Sequence, residues 1–173
     1  MTTWEPIKPS NGTTPSENVL AQLCSKTFLR LWSWPNLYRD QRSSPTSRIG
    51  KELCDLLVVC DKHLIIFSDR SCKFTESGNL DTDWCRWYRK SILESATQIL
   101  GAERWLRKFP NKIFIDEQCQ QQFPFKLQPW EQFSVHRIVV SLNAADRCRA
   151  EIWRNWKFVN KPKYSQRRSY KTK

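Results

Sequence analysis

The sequence predicts an α/β fold with a mixed sheet. Three observations carry that expectation. Two apolar, β-prone runs, Leu53–Cys60 and His63–Ser68, are separated only by Asp61-Lys62. Apolar residues recur at helical spacing on either side of this pair, over about 17–32 and 84–108. A further apolar run, Phe133–Leu142, follows the second helix. With a short strand at Lys112–Ile115, the order is helix, strand, strand, helix, strand, strand, which suits a sheet with helices packed on it.

Each element has a local cause. Residues 1–16 carry Pro6, Pro9, Gly12 and Pro15 among Ser, Thr and Asn, and read as a loose leader. Ser16 is the expected N-cap of the first helix, whose apolar face is Val19, Leu20, Leu23, Thr27, Phe28 and Leu31. Residues 35–48, polar and holding Pro35 and Pro45, read as a connecting loop. The hairpin follows, buried on both faces because both runs are apolar without alternation. Ser77-Gly78-Asn79 marks a turn, and Asp81 or Asp83 caps the second helix. In that helix Trp84, Trp87, Tyr88, Ile92, Ala96, Ile99, Leu100 and Trp105 form the expected dry side and Arg86, Arg89, Lys90 and Arg104 the wet one. The expected organisation is a leader over 1–16, one α/β domain over 17–145 and a basic, Trp-containing tail over 146–173.

Composition narrows the function classes. The chain has 173 residues, which suits one domain. No run of about 18 apolar residues is present, so no transmembrane helix is expected, and the polar N-terminus carries no signal region; both point to an intracellular, cytoplasmic protein with no membrane partner. The seven Cys form no C-x-x-C pair and read as small, free core thiols in a reducing compartment. The only two His, His63 and His136, lie in apolar strands and read as core histidines, so a zinc hydrolase is not expected.

The net charge is +12, from 29 basic and 17 acidic residues. The tail holds ten cations, Arg147, Arg149, Arg154, Lys157, Lys161, Lys163, Arg167, Arg168, Lys171 and Lys173, against Asp146 and Glu151. It reads either as a phosphate-binding arm or as a solvated basic end. Along the second helix, Trp84, Trp87, Tyr88 and Trp105 interleave with cations. That pattern suits base stacking or a packed core with solvated charges, and the core reading fits better.

One residue does not suit a plain core strand. Asp55 sits inside the apolar run Leu53–Cys60, and a carboxylate buried there is costly unless it is paired or binds a cation. Across the hairpin, Ser68-Asp69-Arg70 ends the second run and brings a second carboxylate and a cation to the same end of the sheet. A regular strand turns Asp69 to the face opposite Ser68 and Arg70. The plainer readings are an ion pair of Asp55 with Arg70 or Arg48, a turn at Ser68-Asp69, and a solvated Gln98.

The segments Gly50-Lys51-Glu52-Leu53-Cys54-Asp55-Leu56-Leu57-Val58-Val59 and Ile65-Ile66-Phe67-Ser68-Asp69-Arg70, with Gln98 on the following helix, resemble the PD-(D/E)XK nuclease superfamily over about residues 17–142. The resemblance implies a restriction-endonuclease-like mixed sheet flanked by helices. It also implies metal-dependent phosphodiester hydrolysis of DNA or RNA. Asp55 would be the principal ligand of Mg²⁺ or Mn²⁺, helped by Asp69 or Ser68. Arg70 would hold phosphate, Gln98 would position water, and Glu17 would be an accessory carboxylate. The family's acid-x-Lys unit falls on Ser68-Asp69-Arg70, so Ser stands for the acid and Arg for the Lys. Arg stays charged and cannot act as a base. The alternative is a non-catalytic nucleic-acid-binding or adaptor protein on the same scaffold.

Overall fold

Asp55 owes its surroundings to the hairpin that carries it. A computed structural model describes residues 9–40 and 50–142, together with 146 and 149. Strands β2 (Lys51–Cys60) and β3 (His63–Asp69) pair antiparallel across the two-residue turn Asp61-Lys62, where Asp61 takes a left-handed φ of 50°. Their register sets Val58 opposite Ile65 and Leu56 opposite Phe67, so Asp55 and Ser68 are the next residues beyond the last pair of the ladder. The middle of β2 is buried on both faces, as an unalternating apolar run requires.

The sheet has five strands and is mixed. Strand β1 (Ser33–Arg39) pairs antiparallel with β2, and short β4 (Ile113–Phe114) pairs antiparallel with β1. Strand β5 (Ser134–Val140) runs parallel to β3, giving the order β4-β1-β2-β3-β5. The first helix, α1 (Pro15–Thr27), precedes the sheet, and a single turn, α2 (Leu29–Trp32), leads into β1. A rod made of α3 (Leu80–Tyr88), a π-helical turn (Arg89–Leu93) and α4 (Glu94–Lys108) carries the chain from β3 towards β4 and β5.

The helices cover opposite faces. Leu20, Ala21 and Cys24 of α1 bury against Leu56, Val58 and Phe67. Ile99, Ala102 and Leu106 of α4 bury against Leu53, Leu57, Leu64 and Ile66. Trp34 joins the second cluster and meets Phe123 and Phe125 edge-on.

Several expectations are corrected. Residues 33–39 form β1 rather than a loop: β4 pairs only with Tyr38 and Arg39, so the first half of β1 is an edge, where Pro35 is tolerated. Thr14, not Ser16, caps α1, through a capping box with Glu17 and with Pro15 in the first turn. The buried face of α1 is Leu20, Ala21 and Cys24, while Val19, Leu23 and Leu31 are exposed. The small Ala21 and Cys24 let the helix lie close to the sheet. Asn79, not Asp81 or Asp83, caps α3. Trp87 is buried and Trp84 and Trp105 are partly so, in keeping with the core reading of that helix, but Tyr88 and Leu100, expected on the dry side, are exposed. Cys24, Cys54 and Cys119 are buried, Cys60 and Cys72 are half-buried, Cys85 is exposed, and none of these six is in a disulfide. His63 and His136 are exposed rather than core residues, because β5 is an edge strand with a largely exposed surface. No described helix is long and apolar enough to cross a membrane.

Candidate functional site

At the end of the β2–β3 hairpin, the α4 face holds a small polar network. The Asp55 carboxylate accepts a hydrogen bond from the Asp69 backbone N–H on Oδ2 and one from Gln98 Nε2, at 3.1 Å, on Oδ1. The Ser68 hydroxyl donates to Gln98 Oε1 at 3.2 Å, and its side chain also eases the Asp55 charge. Sheet register places Asp55 beside Ser68, and α4 lays Gln98 over both. Asp55 is only 5% exposed and Ser68 is fully buried. Burial holds the Asp55 pKa above the ordinary carboxylate value, with Glu17 pushing the same way, while the Asp69 N–H and the nearby Ser68 and Gln98 side chains oppose the rise.

The opposite face of the same strand ends carries a second polar group. Asn36, in a left-handed backbone conformation of φ 49°, donates its amide to Glu17 Oε2 at 3.1 Å and to Glu52 Oε1 at 3.2 Å. The Ser10 hydroxyl donates to Asn36 Oδ1 at 3.1 Å. Glu17 Oε2 also accepts from the Thr13 hydroxyl and from the backbone N–H groups of Thr13 and Thr14. Burial alone would raise its pKa, but these donors outweigh it and bring the group down to about 2. Glu52 moves the other way: burial, then the Asp55 and Glu17 charges, raise its pKa against the single Asn36 bond. The Asp69 side chain belongs to this face. The residue is 9% exposed, and neither of its two buried carboxylate oxygens has a hydrogen-bond partner of ordinary geometry. Burial raises its pKa; the facing Ser16 side chain offsets part of that rise and the Glu17 charge adds to it.

The structure therefore brings together Asp55, Ser68 and Gln98, as the sequence proposes, but Asp69 joins them through its backbone N–H alone. The register of β3 with β5 runs through Asp69 without a shift, so no bulge there turns its carboxylate inward. Arg70 is not the partner of Asp55. Its backbone N–H follows β5, donating to Val140 O at 3.0 Å, and its guanidinium pairs with Glu94 at 3.0 Å on the exposed side. Arg48, the other proposed partner, lies outside the described residues, as do Arg147, Arg154, Lys157, Lys161, Lys163, Arg167 and Arg168 of the tail. Arg149 is exposed, 3.7 Å from Asp146. Asn36 escaped the sequence reading. An Asn inside a strand is its only local signal, since its partners Glu17 and Glu52 are distant in sequence.

These side chains do not fit a resident divalent metal. Hard cations want several oxygen ligands with carboxylates prominent among them. On this face the network offers one carboxylate, already holding protein donors on both oxygens, a hydroxyl committed to Gln98, and almost no open surface, while the unpartnered oxygens of Asp69 lie on the opposite face of the sheet. Among the described residues no group of three or more His, Cys, Asp or Glu side chains is placed to hold an ion. The hydrogen bonds of Asp55 link the end of β3 and Gln98 of α4 to β2. No protein-family model matches this chain, and no curated protein or solved structure matches it significantly.

Proposed function

We propose that this chain is a nuclease-like α/β domain of restriction-endonuclease-like architecture that binds nucleic acid without hydrolysing it. The order of elements supports the architecture: helix, three antiparallel strands, helix, then a strand parallel to the third. The observation that carries the function is the closed network of Asp55, Ser68 and Gln98, standing where the resemblance to PD-(D/E)XK nucleases would place metal and water. A metal-bearing site needs reachable oxygens, and Asp55 and Ser68 are buried. Binding is supported by the +12 charge and by the cations Arg86, Arg89, Lys90, Arg104, Arg107 and Lys108, all exposed on the α3–α4 rod.

The test is binding and integrity of labelled duplex DNA, single-stranded DNA and RNA while Mg²⁺ or Mn²⁺ is titrated. Retention of intact nucleic acid, unaffected by chelator, is the expected result. Metal-stimulated cleavage lost in Asp55→Asn overturns it. The chain would then be a divalent-metal-dependent nuclease, with Asp55, Asp69 and Ser68 as ligands and Arg70 and Gln98 on phosphate and water. Absence of binding at low salt overturns both readings.

A further inference from the structure

The chain contains two histidines, and the fold brings both to one spot. His63 opens β3 and His136 lies in the middle of β5. The parallel register, His63 beside Ser134 and Ile65 beside His136, makes them diagonal neighbours on one face of the sheet. His63 Nδ1 and His136 Nε2 share a hydrogen bond at 3.1 Å, one ring donating and the other accepting; the ring centroids are 5.3 Å apart and both side chains are exposed, so a shift of that proton to the outer ring nitrogen and a turn of the rings would free both lone pairs for one ion. This is the face of α1, because the next residue, Arg137, turns to the other side and forms a two-pronged pair with Glu103 of α4 at 2.5 and 2.6 Å.

We infer that His63 and His136 form a two-imidazole chelate for a late first-row divalent ion such as Zn²⁺, Ni²⁺ or Cu²⁺. Imidazole nitrogen is a preferred ligand of these ions, and each imidazole supplies one lone pair. With metal–nitrogen bonds of about 2.0–2.1 Å, nitrogens at this spacing subtend about 95–100° at the ion, between the octahedral and tetrahedral values. The exposed side of the pair leaves the remaining positions to water. The site is independent of the polar network at Asp55. Its structural effect is to add a side-chain tie between the edge strand β5 and the hairpin, beside the parallel ladder.

The experiment is calorimetric titration of the whole chain with Ni²⁺, alongside thermal melting. One ion per chain is expected, with a rise in melting temperature of roughly 3–10 °C at saturation. His63→Ala and His136→Gln should each weaken binding by about 10²-fold, because one imidazole loses the local concentration supplied by the other. Both changes fall on exposed side chains, and unchanged melting of the metal-free variants verifies that each is folded. Equal nickel binding by wild type and both variants places the ion on other groups, the free cysteines included, and overturns the inference. Absence of binding by the wild type does the same.

Discussion

Replacing Asp55 by Ala and by Asn separates a hydrogen-bonded network from a metal-ready cluster of acids. Asp55→Ala leaves two donors without an acceptor, the Asp69 N–H and the Gln98 amide. Each buried orphan costs about 1–3 kcal/mol. Removing a buried carboxylate whose pKa burial has raised returns part of that cost. A net loss of about 2–4 kcal/mol is expected, or a melting temperature lower by roughly 4–16 °C for a chain of this size. Asp55→Asn is different. Its amide oxygen can still accept from the Asp69 N–H. If the Gln98 amide turns over, its oxygen accepts from the new Asn NH₂, and its own NH₂ donates to the Ser68 hydroxyl. Every group keeps a partner, and the repulsion towards Glu52 and Glu17 disappears, so the change should stay within about 1 kcal/mol. An ion pair of Asp55 with a cation would instead cost about 3–5 kcal/mol when broken. Thermal and urea unfolding of the three proteins at pH 7 read these differences. An alanine variant as stable as wild type, or more so, refutes the argument, because it means that strain among carboxylates outweighs their hydrogen bonds.

Three acids and Glu17 should oppose each other in pH dependence. Glu17, lowered from 4.5 to about 2, contributes stability that is present above its unfolded value and is lost as pH falls through that window. Asp55, Asp69 and Glu52, all raised, favour the folded state most on the acid side and withdraw that support as pH rises through their folded values. Glu17→Gln should therefore flatten the loss of stability between pH 4.5 and about 2, as followed by melting temperature against pH; an unchanged acid limb contradicts the assignment. Asn36→Ala should destabilise by about 2–3 kcal/mol, by losing bonds to two carboxylates and placing Ala at positive φ. Asn36→Gly should recover about 1 kcal/mol of that loss, and equal urea midpoints for the two would remove backbone conformation as a factor. At Gly50 an added Cβ would stand 2.4 Å from Cys119 Sγ and 3.0 Å from Glu117 O. Gly50→Ala should cost about 1–3 kcal/mol, and adding Cys119→Ala should recover part of it; strictly additive double-mutant unfolding would show that the thiol is not the obstacle. Deleting 146–173 should lower the slope of log affinity against log salt by about 3–5 if the tail meets phosphate, and leave it unchanged if the rod alone binds.

The hairpin was legible because its signals are local: two apolar runs and a two-residue joint define both strands and the register. Asp55 was legible for the opposite reason, as a charge out of place, whereas Gln98 came only from the family resemblance, since its place on the helix by itself read as solvated. The partners were not legible. Whether Arg70 turns to Asp55 or to Glu94 depends on its backbone following β5, a pairing set far along the chain. Strand β1 was hidden by Pro35 and Asn36, which read as loop residues. They stand in a strand because one half of it is an edge and because the Asn36 amide meets two carboxylates. The exposure of His63 and His136 was hidden for a related reason. An apolar run does not say whether its strand ends up central or at the rim.

The parallel pairing of β3 with β5 also has a kinetic meaning. The β2–β3 hairpin closes over two residues, whereas β5 meets β3 only after the chain from His63 to Ser134 has been laid down. Loop-closure entropy makes the hairpin early and the last strand late. During synthesis, β3 is therefore an open rim until about residue 140 has emerged, with Leu64, Ile66 and Phe67 beside unpaired backbone groups. That interval is when the nascent chain is most exposed to pairing with another copy of itself. Chains ending before β5 should aggregate in proportion to the time they spend without it, whatever the stability of the finished fold.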